Sequence, residues 1–128
     1  MHPALNYVLH LLLSGVLLML FFFIYVKLTP FDEVHLIRGG NTAAAVSLGG
    51  TLIGFSLTLA SALFHTANWK DFLLWSFSAM VVQILAFLVT TTLLKMSKEQ
   101  IEANNTAFGG LLASISLSIG AINAGCIS

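Results

Sequence analysis

The polar side chains that could do chemistry in this chain sit inside long apolar runs. His10 is titratable, and ionisable groups at membrane depth often mark proton or ion pathways. An equally direct reading makes it a neutral histidine near an interface that shares one hydrogen bond. Gln83 lies in the middle of an apolar segment, where its amide is costly unless a partner satisfies it. Asn123 is a third buried polar candidate.

The most regular pattern belongs to Ser47, Thr51, Gly54, Thr58 and Ser61, which recur at steps of four and three residues. That spacing puts them on one face of a helix. Gly50 joins Gly54 in a GxxxG pair along the same segment. Such a seam either packs against another helix or lines a water path, and packing is the commoner use of small and hydroxyl residues in membranes. Gly109, Ala113, Ser116, Gly120 and Asn123 make a comparable seam further on, although its positions are not the repeat equivalents of the first. Asn41 and Asn105 each precede a helix and are good N-caps. Alternatively, the two helix N-termini they mark could hold an anion or a lipid phosphate.

Several chemistries have no support. His2, His35 and His65 show no metal-ligand spacing, and the single cysteine, Cys126, allows no intrachain disulfide or cysteine-based zinc cluster. A phosphate loop, a nucleophile elbow and a paired-carboxylate arrangement are all missing from the sequence. We therefore expect no enzyme, no cofactor and no metal. Net charge is zero, with five basic and five acidic residues, so nothing draws nucleic acid electrostatically.

The elements that position these residues follow from composition. Apolar residues make up 58% of the 128 and charged ones 8%, far from the balance of a water-soluble domain. Four segments are long enough to span a bilayer as helices, 5–26, 42–64, 72–94 and 106–128. The first has no preceding Lys or Arg and no cleavage pattern, and reads as a retained helix. All ten Asp, Glu, Lys and Arg residues fall between these segments. The first and third loops hold Lys27, Arg38, Lys95 and Lys98, against Lys70 on the other side, which predicts cytoplasmic loops and periplasmic termini.

In the first loop, Thr29 as a cap, Pro30 at the first position and Asp32 and Glu33 in the first turn predict a short interfacial helix over 30–38. Gly39-Gly40 should end it. The acidic residues in the loops are expected to be solvated.

Asn41-Thr42-Ala43 recurs as Asn105-Thr106-Ala107, with Ile37 over Ile101, Leu48 over Leu112 and Ala60 over Ala124. The chain then reads as one integral membrane domain of two halves, 1–64 and 65–128. Each half crosses twice, so the halves should be parallel repeats about a pseudo-twofold along the membrane normal. The bulky first and third spans, with Phe21, Phe72 and Phe87 among their side chains, should face lipid. The small-residue second and fourth should be interior.

The stretch from Phe23 to Pro30, then Glu33, Leu36-Ile37, Asn41 to Ala45 and Gly50 to Phe55, with Trp75, Val82-Gln83, Asn105-Thr106-Ala107 and Asn123 to Cys126, resembles the YjfL-like family of bacterial inner-membrane proteins of unknown function. Thr58 stands where that pattern puts a proline, which would leave the second span straight. The resemblance implies a four-span protein of the bacterial inner membrane, with relatives often encoded near membrane-stress proteins. It supplies no mechanism. Two roles compete: an oligomeric or adaptor protein supporting envelope integrity, whose partners are lipid and a second copy or another membrane protein, or one subunit of an oligomeric ion or small-solute channel.

Overall fold

The computed structural model describes residues 3–29 and 31–127, and its regular elements among them are all helices. Its elements are α1 (Pro3–Leu28), α2 (Glu33–Arg38), α3 (Thr42–His65), α4 (Trp69–Leu93), α5 (Ser97–Glu102) and α6 (Thr106–Cys126). Helices α1, α3, α4 and α6 are long and apolar enough to cross a membrane. The protein is an all-α, multi-span membrane protein. The two short helices lie at one end of the bundle, called here the loop end.

Local chemistry explains where the helices start and stop. The short helix α2 begins at Glu33, capped by Asp32, whose carboxylate accepts the His35 N–H at 3.2 Å. Thr29 is not the cap, because its hydroxyl lies on the Val26 and Phe31 carbonyls. The expected role of Pro30 lies outside the described residues, as do His2 and Ser128. Gly40 then takes a left-handed φ of 88°, which glycine adopts at little cost. Its N–H donates to Ile37, and that of Asn41 donates to Leu36.

The second short helix, α5, was not expected from the sequence, yet it ends the same way. Asn104 takes φ 60°, its N–H donates to Ile101, and the Asn105 N–H donates to Gln100. Asparagine is the side-chain-bearing residue best suited to that conformation. At the opposite end, Asn68 caps α4 through the Asp71 N–H at 2.9 Å.

Neighbouring contacts fix the directions. Phe21 stacks on Phe55 with centroids 4.3 Å apart, and Tyr25 meets Thr51, so α1 and α3 are antiparallel. Gln83 reaches Ser116 and Asn123 reaches Ala79, making α4 and α6 antiparallel too. Helices α3 and α6 run parallel, with Thr51 at Ser116, Thr58 at Gly120 and Ser61 at Ala124. Helices α1 and α4 are also parallel, with His10 near Phe72 and Tyr25 against Phe87.

The expected twofold is nevertheless not the arrangement. It would set α1 on α6 as α4 is set on α3, whereas α1 packs on α3 and α4 and makes no comparable contact with α6. The two helix pairs stand side by side, facing the same way.

The expected division into lipid-facing and interior helices needs correction as well. Phe21, Phe72 and Phe87 are buried with Tyr25 and Phe55, because aromatic rings offer the large contact area needed to fill space between helices. The rest of α1 is mostly exposed. Helix α6 is interior along only one face, through Gly109, Leu112, Ala113, Ser116 and Gly120.

Candidate functional site

The structure gathers most of the buried polar side chains between α3 and its neighbours. The α3–α6 contact is close because its glycines allow it. A Cβ on Gly50 would come within 2.5 Å of Ala113, one on Gly54 within 2.6 Å of the Ser116 carbonyl, and one on Gly109 within 2.5 Å of the Ala43 carbonyl. At that separation backbones gain dispersion and weak Cα–H···O contacts that lipid does not match.

The hydroxyls of the α3 seam are used in the same contact. Thr58 Oγ1 donates to the Gly54 and Gly120 carbonyls at 3.2 and 3.1 Å. Ser61 Oγ donates to Ala124 at 2.6 Å. Thr51 Oγ1 lies within 3.0 Å of the Ser47 carbonyl, 3.1 Å of Ser116 Oγ and 3.3 Å of the Tyr25 hydroxyl. Gln83 Nε2 donates to the Ser116 carbonyl at 3.1 Å. Thr51, Ser116, Tyr25 and Gln83 form one buried polar cluster around the middle of the bundle, and Thr58 and Ser61 extend the α3–α6 contact toward the end away from the short helices.

The caps carry more than capping. Asn41 accepts the Ala44 N–H at 2.8 Å and donates to the Ile101 carbonyl at 2.6 Å, while Asn104 accepts the Ala43 N–H at 2.9 Å. Asn105 accepts the Phe108 N–H at 3.2 Å. The donors that an anion would use at the start of α3 are therefore engaged by asparagine side chains. His10 and Asn123 stand apart from the cluster. His10 is half-buried, bonded through Nδ1 to the Asn6 carbonyl, and lines a cleft of about 330 Å³ with Tyr7 and Ser14. Asn123 donates to Ala79 at 3.1 Å. Cys126 is exposed.

Glu33 contradicts the expectation of solvated loop acids. It is 0% exposed, and neither carboxylate oxygen has a hydrogen-bond partner. Burial pushes its carboxyl from an ordinary 4.5 up to about 8. The Asp32 charge adds to that effect, and the nearby Thr29 hydroxyl works against it. The Ser47 hydroxyl, the Ser76 hydroxyl and Gln83 Oε1 are likewise buried without partners.

A signal for Glu33 was present in the sequence. Leu36 and Ile37 lie three and four positions on, so Glu33 shares the apolar face of α2. Tyr25 and Asn104 were also missed, because both owe their importance to residues far away in the chain.

The family model described as Domain of Unknown Function (DUF350) matches residues 1–127. The UPF0719 inner membrane protein YjfL of Escherichia coli (strain K12) is 35% identical over 112 residues, covering 88% of this chain and 85% of that protein. The protein of the same name from Escherichia coli O157:H7 matches to the same extent. No solved structure matches.

Proposed function

The chain belongs to the Domain of Unknown Function (DUF350) family, and from the filled interior of its bundle we propose that it acts as a non-enzymatic membrane scaffold, assembling with copies of itself or with another membrane protein to support envelope integrity. The single observation that carries this reading is the α3–α6 contact. With Gly50, Gly54, Gly109 and Gly120 closed on the facing backbone, the hydroxyl seam is occupied by protein, which argues against a water path along it.

The outer face of α6 supports assembly. Gly110, Ser114, Ser118 and Ala121 follow one another at helical spacing, and the last three are exposed. Small residues on an outward face permit close approach by another helix. The Escherichia coli relatives, named as inner membrane proteins, favour the bacterial inner membrane, and the Lys and Arg count favours periplasmic termini.

The test is the oligomeric state of the purified protein in lipid nanodiscs, read by single-molecule photobleaching, together with crosslinking in cells. Multiple copies per particle, reduced by Ser114→Leu and Ser118→Leu, agree with the proposal. A wild-type protein that is single-copy in nanodiscs and crosslinks to no membrane protein in cells overturns it.

A further inference from the structure

Glu33 is a buried carboxylate neither of whose oxygens has a hydrogen-bond partner, with the Thr29 hydroxyl nearby. Ionised, it would leave two charged oxygens in a medium that stabilises charge poorly. The fold does not require an acid there. Ser97, 64 positions later (97 − 33 = 64), is the first residue of α5 as Glu33 is of α2. It is also buried, and its hydroxyl donates to the Leu94 and Thr91 carbonyls at 2.6 and 3.2 Å. A small neutral group suits the position, and the first half carries a titratable one instead.

Among the described residues no Lys or Arg faces the carboxylate to balance it. On its own segment Asp32 is exposed and of like charge, and the basic residues of α2, His35 and Arg38, are both exposed while Glu33 is buried. From α1 the titratable neighbour is Tyr25, which senses the Glu33 charge, while Lys27 is exposed. Helix α3, the element packed on α2, carries no Asp, Glu, Lys or Arg, and its His65 is at the opposite end. The remaining route to neutrality is a proton.

We propose that Glu33 is a reversible proton-binding site at the loop end of the bundle, taking up and releasing a proton while the four spanning helices stay packed. Uptake forms one O–H bond on the carboxylate and leaves hydronium as water, and release returns the proton to water or a buffer base. The protonated acid can donate where the carboxylate cannot. The Thr29 hydroxyl beside it and the Tyr25 hydroxyl, linked in turn to Thr51 at 3.3 Å, are polar groups near either form. The upward displacement of the carboxyl to about 8 agrees with this site.

The experiment labels the side-chain carboxyl carbons of Glu33, Glu99 and Glu102 with carbon-13 and follows them by NMR in lipid nanodiscs as pH is raised, with helicity monitored by circular dichroism. One resonance should titrate near pH 8, be absent in Glu33→Gln, persist in Asp32→Asn, and change with no loss of helix. If Glu33→Gln does not fold, the Glu99→Gln/Glu102→Gln protein, with both changes on exposed residues, leaves Glu33 as the single glutamate and makes the same measurement. Three resonances that all titrate in the ordinary carboxylate range overturn the proposal. So does a midpoint that falls when sodium replaces potassium, which would mean a bound cation, or a titration that coincides with loss of helix.

Discussion

The side-chain amide of Asn41 donates to the Ile101 carbonyl across the two halves of the chain at 2.6 Å. Asn41 is also the N-cap of α3, so one side chain starts a spanning helix and ties it to the loop end of the other half. Asn105, at the start of α6, caps its helix and bonds locally to Gln100.

The first prediction follows from that asymmetry. Asn41→Ala removes a cap and leaves the buried Ile101 carbonyl without its donor, a loss of about 2 to 4 kcal/mol. Asn105→Ala should cost about 1 kcal/mol. Reversible unfolding in mixed detergent micelles measures both, and equal losses would refute the cross-half role of Asn41.

The second concerns the glycine contact. Gly54→Ala places a methyl group 2.6 Å from the Ser116 backbone oxygen, whereas a Cβ on Gly49 meets nothing within 4 Å. Gly54→Ala should therefore destabilise by about 1 to 3 kcal/mol and Gly54→Leu by more. Gly49→Ala and the lipid-facing Val16→Leu should melt with the parent. A Gly54→Ala protein of parental stability would mean that α3 and α6 are further apart than described.

The third is a pH dependence. Glu33 has a folded value near 8, raised above its ordinary 4.5, so between the two the unfolded chain has lost a proton that the folded chain keeps. The Glu33 contribution to stability is then fully present below about 4.5 and is lost as pH rises to about 8. Thermal denaturation across that range should show wild-type stability falling and Glu33→Gln following a flatter curve. Parallel curves would show that Glu33 titrates alike in both states.

The fourth tests orientation. Ser97, in the third loop, is too buried for labelling, but its neighbour Glu99 is exposed. In a Cys126→Ser background, Glu99→Cys should resist a membrane-impermeant thiol reagent in intact cells and react after permeabilisation. Labelling in intact cells would reverse the orientation.

Much of this architecture can be read from residue order, because its causes are local. Charge confined to loops marks four spans, the step of four and three residues marks a helix face, and asparagine before an apolar run marks a helix start. The recurrence of Asn-Thr-Ala also anticipates that corresponding helices run parallel. What the seam faces is a different kind of question. Ser47, Thr51 and Thr58 have the same spacing whether they meet water or protein, and only the approach of α6 to Gly50 and Gly54 answers it. The side-by-side placement of the helix pairs depends on which large aromatic rings find space between helices, so Phe21, Phe72 and Phe87 turn inward although their composition suits lipid equally well. Glu33 is the sharpest case. An acid in a loop is ordinarily solvated, and its neighbours in sequence permit either environment. Burial of α2 against the bundle removes water from its carboxylate, and that loss of solvation gives the residue its chemistry.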